Sequence, residues 1–165
     1  MYKNQRTIDY WVEHLNLQPH PEGGFFKETY RSEIKLQPFE NNGERSLSTG
    51  IYFLITSGNF SAFHRIKSDE MWHFYAGSPL TVHVIKKDGT YTELNIGLDL
   101  IKGQLPQAVV PAEAWFASES SGEYSLVGCT VSPGFDFTDF ELACESDLIM
   151  LFPSHKELIT RLTRQ

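Results

Sequence analysis

Apolar residues follow two periodicities along this chain, one at its ends and another through its middle. Between residues 7 and 17 they recur at helical spacing: Ile8, Trp11, Val12 and Leu15 fall at i, i+3, i+4 and i+7, with Thr7 placed to cap the first turn. Pro19 and Pro21 end that helix. From there the pattern predicts strands over 25–31, 49–56, 80–86, 91–96, 104–110 and 124–131. A further strand opens at Trp115-Phe116, and a late one includes Phe140 and Leu142. Gly23-Gly24, Gly58-Asn59, Asp88-Gly89 and Ser121-Gly122 are the turn signals between them. The segment Thr49–Thr56 is almost continuously apolar, which predicts burial on both of its faces. Residues 38–46, with Asn41-Asn42-Gly43, read as a polar loop long enough for a lid or an interface arm. A second helix is predicted after Pro153, with Ser154 and Glu157 as a capping box and Leu158, Ile159 and Leu162 as its apolar face. Short strands without intervening helices indicate an all-β sandwich or barrel.

The stretch Phe60–Gly77 carries the chemistry. It reads as two strands joined by a turn at Ser68-Asp69. Side chains alternate across a strand, so Phe60, Ala62, His64 and Ile66 share one face, and Glu70, Trp72 and Phe74 share another. A hairpin stacking these faces would gather an imidazole, a carboxylate and two aromatic rings around one spot. The plainer alternative is a core strand pair with a few polar residues at its end. Buried ionisable groups need partners, and that favours the functional reading. On the strand 25–31, Glu28 and Tyr30 share a face; they are ligand contacts if it looks into a barrel and solvated residues if it does not.

His64, Glu70 and Gly77, with six residues between the last two, resemble the first motif of the cupin superfamily: His-x-His, three or four residues, Glu, six residues, Gly. The second His position is Ile66. The run His-Arg-x-x-Ser-Asp-Glu-x-Trp-His-x-Tyr-x-Gly more closely resembles the uncharacterised cupin-5 subfamily. So do Pro-His-Pro-Glu-Gly-Gly at 19–24, Thr-Tyr-Arg at 29–31, Val-Pro-Ala at 110–112 and Ser-Pro-Gly-Phe-Asp-Phe at 132–137. The resemblance implies a cupin jelly-roll barrel (a double-stranded β-helix) with short N- and C-terminal helices, a single domain over 1–165. It also implies a homodimer. It brings no activity, although metal-free sugar-nucleotide epimerases share the fold.

A usual cupin metal site takes two His and the Glu of the first motif and a third His from Pro-x-Gly-x-x-His. Here the second motif reads Pro111-Ala112-Glu113-Ala114-Trp115-Phe116, so Phe116 stands at the third His position. His73 and His83 could in principle substitute, but His73 is three residues from Glu70 and points to the opposite face unless a bulge brings it round. No metal and no cofactor are therefore expected. His64 and Glu70 are the expected acid–base pair of a metal-independent isomerase or epimerase. Glu28, Tyr30, Tyr52, Trp72, Phe74 and Trp115 are the expected substrate contacts. Arg31 and Arg65 lie near but fall on the opposite parity. The alternatives are a ligand-binding protein without turnover, a metal-dependent cupin enzyme, and an interaction module.

Composition narrows the partners. Over 165 residues the net charge is −7, which argues against nucleic acid as a partner, since phosphate binding needs a basic surface, and disfavours an anionic membrane. Twelve Phe, seven Tyr and three Trp suit a barrel whose interior is lined with aromatic rings. Cys129 and Cys144 lack metal-type spacing and are expected as free buried thiols in a reducing cytosol. With no signal-like or membrane-spanning apolar run, a cytoplasmic protein is expected, its partner a small molecule.

Overall fold

The computed structural model describes residues 7–40 and 43–164. In chain order the elements are α1 (Ile8–Leu15), β1 (Gln18–Pro19), β2 (Phe25–Arg31), β3 (Lys35–Leu36), β4 (Arg45–Ser46), β5 (Thr49–Thr56) and β6 (Phe60–Arg65). They continue as β7 (Asp69–Gly77), β8 (Leu80–Ile85), β9 (Tyr91–Ile96), β10 (Gln107–Val110), β11 (Trp115–Ser120), β12 (Tyr124–Ser132), β13 (Glu141–Leu142), α2 (Glu145–Leu151) and α3 (Lys156–Arg161). One sheet runs β1-β2-β5-β12-β7-β10, a second β13-β6-β11-β8-β9, and β3 pairs with β4 alone. The pattern predicts an all-β sandwich or barrel, and the two-sheet jelly roll with short terminal helices is the one the cupin resemblance implies. Asn41 and Asn42 of the expected polar loop, and Met1 to Arg6, lie outside the described residues.

Three apolar layers follow from strand alternation. Between the sheets, Phe53 and Ile55 of β5, Trp72 of β7, Val82 and Val84 of β8, Phe116 of β11 and Val127 of β12 form the main core. Leu54 and Leu126 point out of the first sheet and bury against Trp11 and Leu17, so α1 covers that face. Phe63, Ile85, Trp115 and Ala117 point out of the second sheet under Leu148, Ile159 and Leu162 of the C-terminal helices. The unbroken apolar run of β5 is explained: one side packs the interior and the other packs α1. Thr7 accepts a hydrogen bond from the Tyr10 amide and caps α1 as its sequence predicts.

Some expectations are corrected. β6 and β7 are not a hairpin: each pairs with other strands and they belong to opposite sheets, so the segment between them carries the chain across the sandwich. The C-terminal capping box does not form. A 3-10 turn at Pro153–His155 takes its place, and α3 starts at Lys156 without a side-chain cap. His155, in that turn, has its Nε2 3.0 Å from the Gly89 carbonyl. Both cysteines are free thiols, but only Cys129 is buried. Among the described residues no helix is long and apolar enough to cross a membrane.

Candidate functional site

The site lies where β6 and β7 face each other across the sandwich, joined there by the loop before β2. His64 on β6 and Glu70 on β7 are 3% and 8% exposed, and both look into a cavity of about 270 Å³. Glu22, 6% exposed, joins them from the loop Pro21-Glu22-Gly23-Gly24. That loop can approach so closely because Gly23, at φ +114°, has no Cβ, which would overlap the Phe60 carbonyl oxygen. The Ala62 amide donates to the Glu22 carbonyl at 2.8 Å and pins the loop to β6.

His64 is fixed at both ring nitrogens. Its Nδ1 lies 2.8 Å from the Ala62 carbonyl and its Nε2 lies 3.0 Å from Glu22 Oε2. A carbonyl only accepts, so Nδ1 carries the hydrogen that bonds Ala62. One proton is then shared between Nε2 and the Glu22 carboxyl. Burial decides where it rests. Desolvation pushes Glu22 well above the usual carboxylate range, helped by the nearby Glu70 charge. Desolvation also lowers His64 to about 3. The resting pair is a carboxylic acid donating to a neutral imidazole. His20, whose Nδ1 accepts from the Glu22 amide at 3.2 Å, is lowered by burial to about 4 and is neutral as well. Glu70 differs from these. Burial raises it to about 7, partly offset by a hydrogen bond from the Cys129 thiol, so it exchanges its proton near neutral pH.

The cavity mouth is built by an irregularity in β2. Pairing with β5 shifts register between Glu28 and Tyr30, which turns Glu28 and Arg31 to the same side despite their odd spacing. Both line the cavity. Arg31 grips Glu28 with two hydrogen bonds, 2.9 and 2.7 Å, and donates a third to the Phe135 carbonyl at 3.1 Å. Phe26, Phe135 and Phe137 supply aromatic walls, with the His20 ring 4.5 Å from Phe26 edge-on.

Residues 9–143 match the family described as Cupin superfamily (DUF985). The chain belongs to that family. An uncharacterised protein of Saccharomyces cerevisiae is 31% identical to this cupin over 150 residues, covering 82% of this chain and 72% of the yeast protein. A hypothetical protein from Leishmania major has a TM-score of 0.91 at 38% identity, covering 96% of this chain and 99% of that one. A protein from Shewanella oneidensis has a TM-score of 0.89 at 43% identity, covering 96% and 98%. Oxalate decarboxylase of Bacillus subtilis shares the fold alone, with a TM-score of 0.55 at 14% identity over 87% of this chain and 36% of that one.

The side chains of this cupin do not fit a metal of the usual cupin kind. Ile66 and Phe116, at two of the usual ligand positions, are 4% and 1% exposed in the core, with the Phe116 ring 4.1 Å from the His64 ring. Among the described residues no group of three or more His, Cys, Asp or Glu is placed to hold an ion. His73 bonds Thr130 and Gln107, and His83 bonds Tyr91 and Glu119; neither lines the cavity.

Of the residues singled out by the sequence, the cavity brings together His64, Glu70 and Glu28. Tyr30 is turned outward by the β2 irregularity and is 57% exposed. Tyr52 and Trp115 lie on the outer faces of their sheets, against α1 and the C-terminal helices respectively. Trp72 and Phe74 face inward but pack in the main core rather than on the cavity wall. Arg31 joins the mouth despite its parity, whereas Arg65 stacks over Trp115 at 4.7 Å and pairs with Glu141. Sequence reasoning missed Glu22, His20 and the aromatic mouth. The available signal was Pro-His-Pro-Glu-Gly-Gly, where a Glu held between Pro and two glycines has no helix or strand to serve.

Proposed function

We propose that this cupin binds a small molecule in the cavity and moves a proton on it without a metal, as an isomerase or epimerase does. The single observation that carries the reading is that Glu70 and the hydrogen-bonded Glu22–His64 pair open into one largely apolar cavity. Glu70, with a pKa of about 7, is poised between acid and base at working pH. As carboxylate it takes a proton from a carbon next to a carbonyl. The electron pair moves onto the carbonyl oxygen, which accepts the proton held by Glu22. On reversal Glu70, now protonated, returns its proton to the same carbon or, on a hydroxy-substituted substrate, to the former carbonyl carbon, while Glu22 recovers a proton from the enol oxygen. Substrate or isomer is released, and both carboxyl groups are left as they began. His64, with both nitrogens already bonded, acts through Glu22: its Nε2 holds the Glu22 acid in place and releases that hydrogen bond when the proton moves to the substrate.

That same double engagement of His64 favours the second reading, a ligand-binding cupin without turnover. Isotope exchange separates the two. The wild-type protein and its His64→Ala and Glu70→Gln variants are incubated in D₂O with aldoses, ketoses and 2-oxo acids, followed by mass spectrometry. The proposal expects deuterium on a carbon next to a carbonyl with the wild type, and its loss in both variants. Undiminished exchange in both, or none with the wild type, overturns it.

A further inference from the structure

Charge and size within the cavity specify its ligand more closely. Among the described residues lining it, Arg31 is the one cation, and its guanidinium is already held by Glu28 through two hydrogen bonds. Asp136 adds a second carboxylate to the same rim, and its charge also acts on Arg31. The mouth therefore carries an excess of one negative charge. Deeper in, the Glu22–His64 pair is neutral as a whole wherever its proton sits, His20 is neutral, and Glu70 can only add negative charge. An anionic ligand would have to pull Arg31 from Glu28 and leave that carboxylate unpaired beside its own charge. At about 270 Å³ the cavity falls just below the roughly 300–1,000 Å³ of sites that enclose drug-sized ligands. It holds one sugar-sized ring and not a nucleotide as well.

We infer that the ligand is a neutral or cationic polyhydroxylated molecule of single-ring size, seated between the aromatic mouth and the buried carboxyl groups, and not a nucleotide sugar or other anion. This rests on the proton-transfer reading of the same cavity and names what that reading acts on. Phe26, Phe135 and Phe137 offer flat apolar faces to the C–H side of a ring. Glu28 and Glu70 offer acceptors for its hydroxyls, and the Glu22 acid sits at the closed end.

The test is ligand-observed NMR at pH 7.5 with neutral aldohexoses, the corresponding uronates and the corresponding hexosamines, sets that share a ring and differ in charge. Ile51→Trp or Val131→Phe, whichever folds by circular dichroism, fills the cavity as the control. The expected result is binding of neutral and amino sugars that is lost in the filled variant. Uronates should bind about tenfold more weakly or worse, a penalty that shrinks in Glu28→Gln. Uronates binding as well as neutral sugars, binding that survives filling, or no binding by any neutral or amino sugar overturns the inference. Its failure is separable from that of the proton-transfer reading. A neutral sugar that binds without exchanging deuterium leaves the ligand class standing, and exchange on a tightly bound anion does the opposite.

Discussion

Glu70 sets the pH behaviour of this protein because its environment favours the protonated form. Its carboxyl is raised from 4.5 to about 7 by burial, so the folded chain holds the proton better than the unfolded chain does. Stability from this group is present below pH 4.5 and is lost as pH rises through 7, by on the order of 3 kcal/mol. Glu22 acts in the same direction. His20, lowered from 6.5 to about 4, acts in the opposite one: its contribution is full above 6.5 and is lost as pH falls through 4. Urea unfolding between pH 4 and 8.5 should therefore show a maximum with two falling limbs, and Glu70→Gln should flatten the alkaline limb. An alkaline limb as steep in the variant as in the wild type would show that Glu70 titrates normally. His64 and Glu70 were legible in the sequence because an ionisable side chain on the inward parity of an apolar strand is unusual. Glu22 was not, since its position depends on a loop backbone at positive φ that no periodicity reports.

At the level of elements, irregularities decide what faces the site. The shift in β2 between Glu28 and Tyr30 brings Arg31 to the mouth and sends Tyr30 to solvent. A second shift, where β6 pairs with β11 between Phe116 and Ser118, places Phe60 with the outer layer instead of on the His64 face. Strict alternation predicts neither. Trp115 is the reverse case: alternation with inward Phe116 puts it outside, and only its aromatic character suggested a pocket. The rim is fastened by Arg45 of β4, which bonds Asp139 at 2.6 and 2.8 Å with both side chains at least 95% buried. Arg45→Met leaves the carboxylate, among the described residues, with Lys67 3.8 Å away as its cation, and should cost about 3–5 kcal/mol in urea unfolding. The double variant Arg45→Met/Asp139→Leu should recover most of that. Equal losses in the single and double variants would mean that packing, not charge, holds the rim.

On the scale of the whole molecule, two sheets close over an interior filled by Trp72, Phe53 and Phe116 and left open beside them as the cavity. The all-β architecture was readable because short strands and turn signals repeat without intervening helices. Which sheet each strand joins was not, because pairing between residues far apart in sequence leaves no local mark; β6 and β7 look like a hairpin yet lie across the sandwich from each other. That crossing is what lets His64 and Glu70 approach one space from opposite walls, with Glu22 between the sheets from the β1–β2 loop. The most direct measurement of this arrangement is a ¹³C NMR titration of the glutamate carboxyl groups, assigned with Glu22→Gln and Glu70→Gln. The account predicts that Glu70 titrates near pH 7 and that the Glu22 transition, too, is displaced upward from that of a solvated glutamate. Both carboxyl groups losing their protons between about pH 4 and 5, as solvated glutamates do, would contradict it.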